Sequence, residues 1–234
     1  MNHSYKISIY FSTRKRVKNL DQSLKSLFDL ADLNNPNFEI IVKVDFDDHE
    51  TINYITNWDN TYENLKFIIS SRKKGYISLK EFSEYMIDLS QGEYNLCWND
   101  DMIMKTPNWN NIFEKKLKEF KIYYPKVNRH REAFFVLPKK LKEILGYIGK
   151  TNSVDLYLHQ LSELCNIAEY FDEVEYEHFW KDDDETFEDK KATFSEQVQE
   201  KQEFMLMNVG IGSGEYSQSV IEDSQKILTY LNNL

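Results

Sequence analysis

Gly92-Glu93-Tyr94-Asn95-Leu96-Cys97-Trp98-Asn99-Asp100-Asp101 reads as a glycine turn, a short apolar strand, and two adjacent carboxylates where the strand ends. Asp is a poor strand former and neighbouring like charges repel, so the pair makes most sense with a divalent cation beside it. In an α/β sheet the carboxyl ends of strands are where ligands bind. A metal held there would grip the diphosphate of a nucleotide. The apolar flanks Cys97-Trp98 and Met102-Ile103-Met104 set the pair in an otherwise buried run, which favours ligand binding over a solvated turn.

The stretches before it repeat the pattern. Lys6–Phe11 predicts a first strand, followed by the basic turn Ser12-Thr13-Arg14-Lys15-Arg16 and a helix with Val17, Leu20, Leu24, Leu27 and Phe28 at helical spacing. Phe38–Val44 is apolar enough for a strand buried on both faces, and it ends in Asp45-Phe46-Asp47-Asp48. Asp47 or Asp48 can cap the helix that follows, which leaves Asp45 for a ligand. A third strand, Leu65–Ile69, runs into Arg72-Lys73-Lys74-Gly75, a solvated loop or an offset for phosphate charge. Ser78 and Glu81 form a capping box for the next helix. Strand and helix in alternation predict an α/β fold: a mostly parallel central sheet with helices on both faces.

The second half is less regular. After Thr106-Pro107 a helix carries Trp109, Ile112, Phe113 and Leu117, and strands are expected at Ile122–Val127 and Ala133–Leu137. Ser153 is placed to cap a helix with Leu158, Leu161, Leu164, Cys165 and Ala168 on its inner face. Glu173–Phe179 alternates with period two, which puts Val174, Tyr176 and His178 on one face. Gly210–Gly214 reads as a hinge before a final amphipathic helix, Ser217–Leu234. The expected organisation is one domain, 1–190, with a nucleotide-binding half (1–104) and an acceptor half (105–190), then a C-terminal helical extension, 191–234.

Composition narrows the function classes. The 234 residues carry a net charge of −10, which disfavours non-specific binding to nucleic acid. Two cysteines, Cys97 and Cys165, are too few for a disulfide scaffold. The polar N-terminus and the lack of a long apolar run predict no signal peptide and no membrane span. A cytoplasmic setting is expected.

The order of motifs resembles the family 2 glycosyltransferases over roughly residues 5–190: a first strand ending in Thr-Arg, a second ending in Asp, then Gly-Glu-Tyr and an apolar strand ending in Asp-Asp. The resemblance implies a GT-A fold and transfer of a single sugar from a nucleotide diphosphate sugar, a UDP-sugar, to an acceptor hydroxyl, with Mn²⁺ or Mg²⁺ and inversion. It assigns Thr13 and Arg14 to the nucleoside, Asp45 to the base, Asp100 to the ribose, and Asp101 with His178 to the metal. It makes Asp155 the general base, although an Asp in the first turn of a helix is also favoured by the helix macrodipole alone. Lys74 joins the donor-binding candidates through its loop.

The Gln-x-x-Arg-Trp signature and membrane helices of processive members are missing, which argues against a polymerising synthase. Asn99 stands where many relatives carry a further Asp, and Val154 where an acidic residue often precedes the base. These departures leave open a non-catalytic carbohydrate- or partner-binding module. A sugar nucleotidyltransferase is disfavoured, because Ser12–Arg16 has no glycine to cradle a triphosphate.

Overall fold

The computed structural model describes residues 5–57, 62–72, 76–150, 153–179 and 216–234. Among these residues eight strands form one sheet: β1 (Tyr5–Thr13), β2 (Phe38–Asp45), β3 (Leu65–Ser70), β4 (Gly92–Cys97), β5 (Met102–Met104), β6 (Ile122–Val127), β7 (Val136–Pro138) and β8 (Ala168–His178). Their order is β3-β2-β1-β4-β7-β6-β8-β5. The ladders β1·β2, β1·β4, β2·β3 and β6·β8 are parallel, whereas β4·β7, β6·β7 and β5·β8 are antiparallel. The sheet is therefore parallel in its first half and mixed in its second.

Alternation along β1 decides what lies on each face. Ile7, Ile9 and Phe11 pack with Leu20, Leu24, Leu27 and Phe28 of α1 (Val17–Asp29) and with Trp109 and Phe113 of α4 (Trp109–Lys116). Ile52 and Ile55 of α2 (His49–Asn57) cover the same core. On the other face Tyr10 and Ile41 meet Met86 and Ile87 of α3 (Tyr76–Leu89). That core continues through α5 (Lys139–Leu145), α6 (Val154–Leu164) and α7 (Gln218–Leu231). Tyr147 and Tyr157 both donate to the buried Asp223 carboxylate, which fixes α7 to this layer. No helix among the described residues is long and apolar enough to cross a membrane.

Several local expectations are corrected. Gly92 does not make a turn; it is the first residue of β4. A Cβ there would lie 2.4 Å from Ser8 Oγ and 2.5 Å from the Ser8 backbone nitrogen, so glycine is set by the close approach of β4 to β1. The helix expected to start at Ser78 begins at Tyr76. Ser153 precedes α6 but makes no side-chain cap, and Ala168 opens β8 instead of closing a helix. The run Ala133–Leu137 divides into a 3-10 turn, Arg131–Ala133, and the short β7. The hinge at Gly210–Gly214 and the boundary at residue 190 lie outside the described residues.

The link from β4 to β5 shapes the whole second half. Only residues 98–101 join strands that stand four positions apart in the sheet. Four flat inter-strand steps would need about 19 Å, and the connecting chain spans at most about 17 Å when fully extended. The sheet curls to bring its far edge back, and Asp100 and Asp101 sit on the link.

Gly92→Ala is expected to destabilise the protein by about 1–3 kcal/mol through overpacking against Ser8. Urea unfolding checks this, with an unchanged m-value as the sign of a pure stability effect.

Candidate functional site

β1 has β2 on one side and β4 on the other, so the crevice at its carboxyl end lies where the strand order reverses. The loop after Thr13 serves both neighbours. Lys15 adopts a left-handed conformation (φ 52°), and its N–H donates to Asp48 Oδ2 at 2.6 Å. Asp48 also caps α2, accepting from the Thr51 N–H at 3.2 Å. Flanking this fixed turn, Arg14 reaches the end of β2 and Arg16 reaches the end of β4.

On the β2 side, Arg14 pairs with Asp45 at 3.1 Å and with Asp47 at 2.6 Å. The Arg14 hydrogen bond holds the Asp47 carboxyl below its ordinary range. Asp45 is also bonded by the ammonium of Lys43, two residues earlier on the same face of β2. Lys43 is only 2% exposed, and its ammonium lies 3.8 Å from the centre of the Phe82 ring. Lys43 is a partner of Asp45 that the sequence did not single out; its period-two relation to Asp45 was the available signal.

On the β4 side, Trp98 continues the ladder by donating to the Tyr10 carbonyl, and its indole N–H bonds Ser23 Oγ at 2.8 Å. The chain then turns through the carboxylate pair. Asp100 is 1% exposed; its Oδ2 accepts from Thr13 Oγ1 at 2.6 Å, and its Oδ1 lies 3.2 Å from Arg16 Nη2. Asp101 Oδ2 is 3.6 Å from Arg16 Nη1. Register supplies the last member: Met102 of β5 pairs with His178 of β8, and the Phe179 N–H donates to the Asp101 carbonyl. His178 Nε2 thereby comes within 3.2 Å of Asp101 Oδ1. Asn128 grips both backbone groups of His178, and Phe134 packs edge-on against its ring.

Among the described residues no group of three or more His, Cys, Asp and Glu side chains could hold a metal ion. Mg²⁺-like ions, however, take one or two carboxylates together with substrate phosphates. Asp101 Oδ1 is buried, makes no hydrogen bond among the described residues and faces an imidazole nitrogen, so Asp101 and His178 fit as the protein's share of such a site.

Asp155 lies in the first turn of α6. Its charge bears on the Cys97 thiol, which burial pushes up to about 12. Burial raises the Asp155 pKa against the opposing pull of its backbone hydrogen bonds and of His130. Thr13, Arg14, Asp45, Asp100, Asp101 and His178 thus gather at the carboxyl ends of β1, β2 and β4, linked by the contacts above, and Asp155 stands on α6. Lys74 lies outside the described residues.

No family model matches the chain, and no curated protein matches it. Solved structures do. Staphylococcus aureus TarS 1-349 in complex with UDP-GlcNAc is 15% identical, with 77% of this chain and 60% of that one covered at a TM-score of 0.62. TarS in a longer form covers 97% of this chain and 43% of its own at 15% identity and a TM-score of 0.61. The mannosyltransferase PcManGT from Pyrobaculum calidifontis, in complex with GDP-Man and Mn²⁺, is 11% identical over 96% of this chain and 70% of that one, with a TM-score of 0.64. The chain spans about 60% of the length of TarS 1-349. The shared architecture is GT-A-like.

Asp155→Asn is expected to stabilise the fold at pH 7. The folded-state pKa of Asp155 is raised, so its ionised form costs stability above that pKa. The cost fades as pH falls through the folded value towards the unfolded one, about 3.9. Denaturation of both proteins should show the gain near pH 7 and its loss near pH 3.5.

Proposed function

We propose that the chain is a glycosyltransferase that moves a single sugar from a UDP-sugar to an acceptor hydroxyl with inversion, using Mn²⁺ or Mg²⁺. The observation that carries this reading is the carboxylate pair at the end of β4, set between Thr13 and Arg16 on one side and His178 on the other. Structures that share the fold were solved with UDP-GlcNAc and with GDP-Man and Mn²⁺, which supports a nucleotide-sugar donor.

The β2 side supports uracil as the base. Each Asp45 oxygen is bonded by a cationic donor, Lys43 on Oδ1 and Arg14 on Oδ2. A donor–acceptor–donor array complements the uracil imide, an N–H between two carbonyls. Guanine offers two adjacent donors and would leave one cation facing an N–H. Removing a hydrogen-bond partner from a buried polar group is costly, which makes such a mismatch selective.

Asp100, fixed by Thr13, is placed to accept from the ribose hydroxyls. Asp101 and His178 would hold the metal, whose Lewis acidity would neutralise charge on the leaving diphosphate. Asp155 takes the proton from the acceptor hydroxyl as that oxygen attacks the anomeric carbon. The bond from that carbon to the diphosphate oxygen breaks, and its electron pair leaves with the UDP. A carboxyl with a raised pKa is a better base for this transfer than an ordinary solvated one.

UDP with Mn²⁺ at about 100 times the dissociation constant should add roughly 2.7 kcal/mol of stability, and this gain should vanish in Asp101→Asn. Asp155→Asn should keep UDP binding and lose roughly 10²–10⁴-fold in kcat. UDP binding without turnover on any acceptor would instead indicate a binding module.

A further inference from the structure

The Asp223 carboxylate of α7 is wholly buried and gathers side chains from both sides of the start of α6. Tyr147 donates to it, 2.8 Å from Oδ1 and 2.7 Å from Oδ2. Tyr157 donates to the same Oδ2, and Lys150 Nζ lies 3.7 Å from that oxygen. Lys226, one turn along α7, completes the set at 2.8 Å. Against the cost of burial, the bonds from Lys226, Tyr157 and Tyr147 hold the Asp223 carboxyl below its ordinary range. Burial raises the Asp155 pKa, so the Asp223 cluster stays ionised while Asp155 titrates.

This cluster supplies what α6 lacks at its own end, where Ser153 makes no side-chain cap. Tyr157 is fully buried, and its ring packs on Gly149, where a Cβ would lie 3.3 Å from Tyr157 Cδ1 and 3.6 Å from Val154 Cγ2. The first turn of α6 is thus held through Tyr157. A helix turns by about 100° per residue, so Asp155 and Tyr157 project from nearly opposite sides of α6. Fixing Tyr157 to α7 fixes how Asp155 is presented on the other side.

Resting on the reading of Asp155 as general base, we propose that Asp223 is a positioning residue for the reaction, acting through Tyr157 to set the first turn of α6 and with it the Asp155 carboxylate. The C-terminal helix then serves the reaction without touching a reacting atom. The charges acting on Asp155 come from His130 and Glu132, and its own charge acts on the Cys97 thiol. Release of the first turn would admit water to the carboxyl and lower its pKa.

The test reads that carboxyl directly. Carbon-13 NMR of Asp-labelled protein, with the resonance assigned by its loss in Asp155→Asn, would follow its titration in wild type, Tyr157→Phe, Asp223→Asn and Tyr147→Phe. Thermal unfolding and binding of UDP with Mn²⁺ are measured beside it. In Tyr157→Phe and Asp223→Asn the Asp155 pKa should fall towards the ordinary value of about 3.9, with UDP binding unchanged. Tyr147→Phe removes a donor from the same carboxylate but leaves α6 tied, and should lower stability without moving Asp155.

A less stable Tyr157→Phe in which the Asp155 pKa stays put would overturn the proposal and leave the cluster a structural lock only. An equal fall in Tyr147→Phe would overturn it too, as general loosening. Tyr157→Phe deletes a single oxygen and decides alone if Asp223→Asn does not fold. Asp155→Asn that keeps wild-type turnover of UDP-GlcNAc would overturn the general-base reading, and the proposal with it, whatever the titrations show.

Discussion

The short link between β4 and β5 is the constraint from which the site follows. Residues 98–101 must carry the chain from the middle of the sheet to its far edge. The sheet responds by curling, and β5 pairs with the end of β8. That pairing sets Met102 opposite His178 and delivers an imidazole from residue 178 to the carboxylate of residue 101. A longer link would allow a flatter sheet and part the two groups. The apolar side chains on either side, Trp98 and Met102, are buried and anchor both ends of the link in the core. Its two carboxylates, Asp100 and Asp101, are left beside the end of β1.

A second constraint is the burial of charge. Carboxylates removed from water need cations or donors beside them, and here one loop supplies both strands. The left-handed turn at Lys15, pinned by Asp48, sends Arg14 to Asp45 and Arg16 to Asp100 and Asp101. A non-glycine residue in that conformation carries a backbone cost of order 1 kcal/mol. The Asp48 bond and the two arginine contacts hold it there. The basic turn is therefore part of the site's electrostatics and not a solvated connection.

Much of this was legible in the sequence. The apolarity of Phe38–Val44, broken by Glu39 and Lys43, reads correctly as a strand buried on both faces, and the period-two alternation before Phe179 puts His178 on the inner face, where it lies. The Asp pair was visible because acidic residues interrupted an apolar run. What escaped were features set by distant partners. β5 has three residues, too few for a period to show, and exists through its pairing with β8. Lys43 looked like a stray charge in a core strand until Asp45 and Phe82 were placed around it. Gly92 suggested a turn, but the reason for the glycine is a neighbouring strand more than eighty residues away in sequence.

The two ends of the central strands answer one physical problem, the burial of charge, in two different ways. At the amino end, Glu39 is fully buried and accepts from Ser8 Oγ, from the Gln91 N–H and from Lys66. Ser8 in turn accepts from the Gly92 N–H. Two of the Glu39 partners are fixed to the backbone or to a buried strand residue, so that charge is locked in place. At the carboxyl end, the partners of Asp45, Asp100 and Asp101 include two arginines with long side chains and partial exposure. Those contacts are made by side chains, whereas Glu39 also accepts from a backbone N–H. Buried carboxylates at both ends thus stand beside cations, held by short fixed partners at one end and by long side chains at the other.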